Sequence, residues 1–300
     1  MVDDNTTPLR SLRVRMATAA REVGKPQYVL EKDHALSYLL AGIVAVPVLR
    51  TSLVFKGGTC LRKAYFPGYR FSEDLDFTSR TSLSCDALLD ALNEAVGHMQ
   101  ALLRGFGPFE VTVTEEHHRD PHPHGQCAFR VRVQYPWMRS PDCSLKVEVT
   151  AQEPLVTEPL ERRLLHEFPG ESLGATIVAY RLEEVAAEKL RALLQSRQHL
   201  DDRGWVRNRP RDLYDLWHLW NQQEVPMNWQ EISSILPAKA EAYGITYSGP
   251  EDLLDRQVLE GIERDWDAQL ANFVTDLPSF EHCAEALRAI LSEVFSDVRS

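Results

Sequence analysis

The sequence contains no long apolar segment and no excess of positive charge. Its most apolar run, residues 38–49, is too short to cross a membrane and is interrupted by Pro47. Residues 1–16 have no apolar core of the kind found in signal peptides. The formal net charge is −11, whereas nucleic-acid-binding domains usually present a basic surface. We therefore expect a cytoplasmic protein without membrane spans, in which an RNA substrate would need a local basic patch.

Cysteine is scarce and follows no pairing motif. The residues are odd in number and scattered along the chain: Cys60, Cys85, Cys127, Cys143 and Cys283. Such spacing favours free thiols in a reducing cytosol over a disulfide framework. The sequence also has no internal repeat and no low-complexity tract.

The 300 residues suffice for one large domain or two modest ones, with ordinary apolar and charged contents of 44% and 26%. Periodicity predicts helices at 9–23, 27–43, 59–65, 85–103, 159–168, 182–197 and 210–220, and strands at 52–55, 71–78, 109–115, 127–135, 143–150 and 176–181. We therefore expect an α+β fold. Residues 1–155 would form a mixed sheet with flanking helices, residues 156–300 a mainly helical domain, and the ligand pocket would lie between them.

Two aspartates stand at alternate positions of the predicted strand 71–78. Alternate residues of a strand face the same side, so Asp74 and Asp76 share one face while Leu75 and Phe77 point into a core. Two carboxylates on one face repel each other unless a cation lies between them, and oxygen ligands at this spacing suit Mg²⁺ or Mn²⁺. An exposed, solvated strand face is the alternative. Arg70 and Ser72 precede the pair, and Arg70 would balance the acidic cluster or bind phosphate.

A glycine turn lies just upstream, between an apolar run and a helical pattern. It consists of Lys56, Gly57, Gly58 and Thr59, with Thr59 placed to cap the following helix. Glycines let the backbone approach a triphosphate closely, and a helix N-terminus favours negative charge. A purely structural turn is the alternative reading.

A third carboxylate, Glu148, lies on the predicted strand 143–150. It shares a face with Lys146, opposite the apolar face of that strand. It would complete a two-metal site or act as a general base toward a hydroxyl. The alternative is a salt bridge with Lys146 on a solvated face.

The strongest local basic patch lies between residues 203 and 211. Arg203, Arg207, Arg209 and Arg211 occur there with Trp205, and the arginines could hold an RNA backbone or a triphosphate. Asp212 follows at a helix start, where capping explains it equally well.

Two further patterns have simple structural interpretations. Lys189 lies in an amphipathic helix, where its spacing alone predicts a solvated side chain. The stretch 117–127 holds four histidines and a cysteine: His117, His118, His122, His124 and Cys127. Its spacing fits no zinc motif, and its prolines favour a solvated loop.

Four separated blocks of the first 220 residues resemble the AbiEii/AbiGii family of nucleotidyltransferase toxins, which includes the MenT-like toxins. These blocks, in the family's order and rough spacing, are Leu30–His34, Phe55–Leu61, Arg70–Phe77, and Glu188–Leu190 joined with Arg211–Leu216. The resemblance implies a polymerase-β-like nucleotidyltransferase core.

The resemblance also assigns roles to individual residues. It implies that Gly57, Gly58 and Thr59 hold a triphosphate, and that Asp74 and Asp76 bind the metal. It implies further that Lys189 contacts the nucleotide phosphates and that Asp212 is an essential acid. The family's third carboxylate is typically an aspartate, and Glu148 is the nearest candidate here.

Together these observations predict the toxin of a toxin–antitoxin system that acts as a Mg²⁺-dependent nucleotidyltransferase. It would add nucleotides from a nucleoside triphosphate to RNA, and the resemblance implies the 3′ end of tRNA and a cognate antitoxin. Two alternatives remain open. One is nucleotidyl transfer to a protein or small molecule, and the other is growth inhibition by nucleotide binding without catalysis.

Overall fold

A mixed β-sheet lies at the centre of the structure, a computed structural model that describes residues 11–116, 125–151, 153–205 and 207–296. Within these residues the sheet has seven strands: β1 (Leu53–Lys56), β2 (Asp74–Ser79), β3 (Glu110–Glu116), β4 (Gln126–Gln134), β5 (Cys143–Thr150), β6 (Leu160–Arg163) and β7 (Thr176–Ala179). Their order is β3-β4-β5-β2-β1-β7-β6. The β2–β5 and β1–β7 pairs are parallel and the other pairs antiparallel.

Helices flank this sheet and form most of the C-terminal region. Those described are α1 (Leu12–Glu22), α2 (Gln27–Ala45), α3 (Pro47–Ser52), α4 (Gly57–Cys60), α5 (Cys85–Leu103), α6 (Leu182–Arg203), α7 (Pro210–Asn221), α8 (Ile232–Ala242), α9 (Arg256–Leu270) and α10 (Phe280–Val294). The predicted α+β architecture is therefore confirmed. The division near residue 155 stays a prediction, and the sheet itself continues past it through β6 and β7.

The alternation predicted for the acidic strand is present in β2. Leu75 and Phe77 are buried, whereas Asp74 and Asp76 are partly accessible. Apolar burial of about 1.5 to 3 kcal/mol for each large side chain fixes the strand's orientation, since a slip of one residue would bury both aspartates. The core thus determines which face carries the carboxylates.

Two predictions of local structure are wrong. The segment 159–168 is not a helix, because Leu160–Arg163 pairs with β7 as an edge strand and the chain then turns at Pro169 and Gly170. Thr59 does not cap a helix, because the helix already begins at Gly57 and Thr59 lies inside it. Its hydroxyl donates instead to the backbone carbonyl of Asp74.

The prediction that no cysteines are paired is also wrong. Cys85, at the start of α5, forms a disulfide with Cys127 on β4, whereas Cys60, Cys143 and Cys283 are buried free thiols. The sequence gives no sign of this pair, because helix packing on the sheet brings together residues separated by 42 positions. The histidines of the predicted loop, from His117 to His124, lie outside the described residues.

Removing this disulfide is expected to lower stability. Because the bond closes a loop spanning 42 positions, replacing Cys85 and Cys127 by serine should lower the free energy of unfolding by about 2–4 kcal/mol. Denaturant unfolding with and without a reductant measures the effect, and the double variant should be insensitive to the reductant. Equal stability of oxidised wild type and variant would contradict the expectation.

None of the helices in the described part of the chain is both long and apolar enough to span a membrane.

Candidate active site

Three carboxylates meet at the junction of β2 and β5. In this parallel pair Asp76 lies opposite Glu148, and Asp74 lies opposite Lys146. Since neighbouring strands are about 4.8 Å apart, the three carboxylates form one acidic surface. All of them line a cavity of about 800 Å³, which has the sheet on one side and α6 and α7 on the other.

The negative charge on this surface is poorly compensated. Burial, followed by the charges of Glu148 and Asp74, raises the pKa of Asp76 to about 7. The pKa of Asp74 is also raised, first by burial and then by Glu148 and Glu73. A raised carboxyl pKa means that the folded protein favours the neutral form unless a cation is present.

Another buried aspartate shows what compensation does. Burial alone would raise the pKa of Asp33, but the adjacent Arg62 and Lys63 outweigh it and hold that pKa well below its usual range. No such pair of cations contacts Asp74 or Asp76 among the ion pairs of the described chain. The oxygen donors of β2 therefore fit a hard divalent cation such as Mg²⁺ or Mn²⁺.

The sequence offered two interpretations of Glu148, a salt bridge with Lys146 and a functional carboxylate, and the structure is consistent with both. Its carboxylate forms a 2.6 Å salt bridge with Lys146, as the structural reading predicts. It also faces the cavity beside Asp76. Because both members of the salt bridge are partly exposed, the pair contributes little stability and Glu148 remains available to a ligand.

Steric contacts within the protein explain the two glycines of the turn without any phosphate. Gly57 has φ +78°, and a Cβ on it would lie 2.6 Å from the Asp76 carboxylate. A Cβ on Gly58 would lie 2.3 Å from the Arg70 guanidinium. Larger residues would therefore displace both an acidic ligand and a buried arginine.

Several predicted phosphate-binding residues lie behind the cavity and do not line it. Thr59 is buried, and Arg70 is buried in a salt bridge. Arg211 lies 3.4 Å from Glu73 Oε2, over the ring of Phe273. The candidates outside the lining are Gly58, Thr59, Arg70, Ser72 and Arg211, whereas those on it are Lys56, Gly57, Asp74, Asp76, Glu148, Lys189, Arg209 and Asp212.

A network of alternating charges forms the opposite wall. Lys189 Nζ lies 2.6 Å from Asp212 Oδ1 and 3.0 Å from Asp215 Oδ2. Arg70 donates to both carboxylate oxygens of Asp215, from Nε to Oδ1 at 2.6 Å and from Nη2 to Oδ2 at 2.7 Å. Two cations and two carboxylates thus join α6, α7 and the segment before β2.

The network keeps its members charged. Burial alone would lower the pKa of Lys189, but Asp212 and Asp215 outweigh it and raise that pKa. Burial would raise the pKa of Asp215, but Arg70 and Lys189 hold it well below its usual range. Lys189 therefore presents a fixed ammonium to the cavity.

Sequence spacing alone was wrong about Lys189 and missed Asp215. Lys189 is nearly buried rather than solvated, because α7 covers it. Asp215 belongs to the family block Arg211–Leu216, but the sequence pattern assigns it no role. The signal that could have identified it is its separation of three from Asp212, which places both carboxylates on one face of α7.

Lys56 lies on the floor of the cavity at the end of β1. It faces Asp76 across the strand pair, contacts Glu153 and lies 3.8 Å from Glu188 Oε1. Burial lowers the pKa of Lys56, with Glu188 and Asp76 opposing the shift. The lysine thus lies between the acidic strands and α6.

The rim of the cavity carries the basic stretch. Arg207, Arg209 and Arg191 line it, and Trp205 is 53% exposed there, 6.0 Å from the ring of His199. Arginines and an exposed aromatic ring at a cavity mouth suit a phosphate backbone and an unpaired base. Part of the predicted basic patch therefore adjoins the acidic surface.

A second cavity, of about 970 Å³, lies between α2, α5 and β7. Its charged lining consists of Arg50, His98 and Glu161, with small and apolar residues around them. Cavity size alone would favour it, but it has no convergent set of charges. We therefore take the acidic cavity as the candidate active site.

Comparisons with known proteins identify the family and the fold of this chain. Residues 38–292 match the family described as nucleotidyl transferase AbiEii toxin, type IV TA system. A comparison with curated proteins finds no match. Among solved structures, the fold is similar to MenT4, nucleotidyltransferase toxin Rv2826c from Mycobacterium tuberculosis H37Rv, with a TM-score of 0.63 and 21% identity over 95% of this chain and 91% of that one. The predicted family resemblance and fold are confirmed.

Proposed function

We propose, because this chain belongs to the nucleotidyl transferase AbiEii toxin family, that it is a Mg²⁺-dependent enzyme transferring nucleotides from a nucleoside triphosphate to RNA. The observation that supports this most is the poorly compensated pair Asp74 and Asp76, which faces the fixed ammonium of Lys189 across one cavity. Carboxylates for a metal and cations for phosphate are the requirements of nucleotidyl transfer.

The proposed reaction is an in-line displacement at the α-phosphorus. The oxygen of an acceptor hydroxyl bonds to that phosphorus, the bond to the oxygen bridging to the β-phosphate breaks, and pyrophosphate leaves. The hydroxyl proton passes to Glu148, which lies beside Asp76 on the acidic surface.

The remaining side chains bind and neutralise charge. Asp74 and Asp76 would hold a divalent metal, which would supply positive charge to the triphosphate and to the leaving pyrophosphate. Lys189 and Arg209 line the opposite wall and would bind phosphate oxygens. Asp212 holds the Lys189 ammonium in place, so we assign it a positioning role.

We further propose that the acceptor is the 3′ end of tRNA. The exposed Trp205 and the nearby His199 offer a stacking surface for an unpaired terminal base. Arg207 and Arg209 on the same rim would contact its phosphates. Addition of nucleotides there would block aminoacylation and hence translation, and a cognate antitoxin would restrain the enzyme in the cytoplasm.

Transfer assays with each labelled nucleoside triphosphate test the proposal. The protein is incubated with Mg²⁺ and total tRNA, and label is followed in RNA, protein and small-molecule fractions. Label in tRNA supports the proposal. Label only in protein or in a small molecule would support a different acceptor, and triphosphate binding without any labelled product would support a non-catalytic inhibitor.

Arg207 gives a specific test of acceptor binding. Replacing Arg207 by alanine should raise the KM for tRNA with little change in kcat, and should reduce the slope of log KM against log salt by about one. Steady-state kinetics at several salt concentrations measure this. Arg264→Ala on α9, whose side chain is 74% exposed and lies outside the cavity lining, is the matched control. Equal effects of the two substitutions would contradict a role for the rim.

A further inference from the structure

A second set of metal-ligating side chains lies outside the active-site cavity. It consists of His34 on α2 and of His166 and Glu171 in the connection between β6 and β7. Their side chains are 0%, 3% and 2% exposed, and none of them lines the cavity described above. His34 ends the first sequence block of the family resemblance, which has no part in the proposed reaction.

The three side chains converge on a single carboxylate oxygen. Glu171 Oε2 lies 3.0 Å from His34 Nε2 and 3.2 Å from His166 Nε2. Ligand atoms in a tetrahedral zinc site are about 3.3 Å apart, given metal–ligand distances of about 2.0–2.2 Å. All three ligand atoms lie within 4.8 Å of one another.

The hydrogen bonds of His34 show that two acceptor atoms, its own Nε2 and Glu171 Oε2, face each other. The Tyr135 hydroxyl donates its one proton to the Glu31 carbonyl oxygen, 2.6 Å away. Its oxygen can therefore only accept from His34 Nδ1, 3.2 Å away, so that nitrogen carries the proton. In a neutral ring Nε2 then has a lone pair, and it points at the carboxylate oxygen of Glu171.

Either a proton or a metal ion must lie between these two acceptors. A proton would make His34 an imidazolium whose side chain is completely buried, and burying a charge is costly. A metal ion would satisfy both atoms and would also use His166, whose Nε2 lies 3.2 Å from the same carboxylate oxygen.

The surroundings resemble the outer shell of a metal site. Ligating histidines usually donate the second ring N–H to a fixed acceptor, as His34 does to Tyr135. Ligating carboxylates are in turn hydrogen-bonded, and here Arg15 lies 2.7 Å from Glu171 Oε1, while Oε2 faces the two histidines. The Tyr38 hydroxyl, 2.8 Å from Oε2, is a further donor to the same carboxylate.

We propose that His34, His166 and Glu171 form a binding site for a transition-metal ion, with zinc as the preferred ion. Two imidazole nitrogens and one carboxylate favour zinc over Mg²⁺, which prefers oxygen ligands. The site is thus distinct in chemistry and place from the acidic cavity.

The metal would have a structural role. It would join α2 to the segment 164–171, which contacts the chain just after the glycine turn. Leu165 N donates to the Lys63 carbonyl there, and Glu167 accepts from Gly68 N. Binding in this position would stabilise the connection between the sheet edge and the segment that leads to β2.

Metal titration of the full chain tests the site. Asp76→Asn is used as the background, so that binding to the acidic cavity does not interfere. After dialysis against zinc, elemental analysis should find about one zinc per chain, and His34→Gln or His166→Gln should bind at least about tenfold more weakly. His98→Gln on α5, a partly exposed histidine outside the cluster, is the matched control and should bind like the background.

A substitution that exchanges one metal ligand for another distinguishes loss of the metal site from loss of folding. With Co²⁺ as the probe, His166→Cys should retain binding and add a thiolate-to-cobalt charge-transfer band in the near ultraviolet. Circular dichroism confirms that each variant is folded. A folded His166→Cys variant without this band, or zinc content unchanged by both glutamine substitutions, would overturn the proposal. Failure of nucleotidyl transfer would not, since these measurements use no nucleotide.

Discussion

Replacing Asp76 by asparagine is expected to lower nucleotidyl transfer at least about a thousandfold while the chain remains folded. The carboxylate lies in the acidic cavity between Asp74 and Glu148, and the substitution removes one of the two proposed metal ligands. Initial rates at saturating Mg²⁺ measure the loss. Asp90→Asn, at an exposed position of α5, is the control and should retain full activity.

The same substitution has a predicted pH signature in stability. The pKa of Asp76 is raised from 3.8 to about 7 in the folded chain, so the folded form binds this proton more tightly than the unfolded form. The resulting stabilisation is complete below pH 3.8 and is lost as the pH rises through about 7. In metal-free buffer, wild type should therefore lose on the order of 2 to 4 kcal/mol of this contribution across that window.

Denaturant unfolding at several pH values checks this signature. Asp76→Asn should show a shallower decline between about pH 4 and 7, since the amide does not titrate and the contribution of Asp76 is absent. Mg²⁺ should restore stability to wild type above pH 7, because the metal takes the place of the missing cation. Parallel pH profiles for the two proteins, with no Mg²⁺ effect on either, would contradict the account of the acidic surface.

Replacing Asp215 by alanine is expected to give the largest loss of stability. Its carboxylate is fully buried, accepts two hydrogen bonds from Arg70 and lies 3.0 Å from Lys189. Removing it leaves two buried cations without their shared partner, which should lower the free energy of unfolding by about 3–5 kcal/mol. Activity should fall too, because Lys189 loses part of its support.

An exposed aspartate provides the comparison for this prediction. Asp201 has a side chain that is 61% exposed and lies 3.8 Å from Arg197, so Asp201→Ala should change stability by less than about 1 kcal/mol. Chemical denaturation of both variants measures the difference. A loss at position 215 no larger than that at position 201 would show that the buried network does not hold α6, α7 and the segment before β2 together.

The sequence predicted the acidic half of the site because local patterns determine it. Alternation in β2 and β5 decides which side chains leave the core, and parallel pairing then brings Glu148 beside Asp76. The glycine turn was also found from its sequence. The sequence explained these glycines by close approach to a triphosphate, whereas in the structure Gly57 and Gly58 also make room for Asp76 and Arg70.

The other half could not be predicted from spacing because tertiary packing determines it. The position of Lys189 on the amphipathic helix α6 predicts a solvated side chain. It becomes a partner of Asp212 only because α7 packs over it. The segment 159–168 has helical periodicity, but pairing with β7 outweighs that preference. The Cys85–Cys127 bond likewise depends on how α5 packs against the sheet.

The most direct test of the central claim compares label in the α- and γ-phosphates of the nucleoside triphosphate. Wild type with Mg²⁺ and total tRNA should transfer only the α-label to RNA, and neither Asp76→Asn nor wild type in a chelator should do so. The γ-label should be recovered in pyrophosphate. Transfer of the γ-label, or α-label transfer that survives in Asp76→Asn, would contradict nucleotidyl transfer at the acidic cavity.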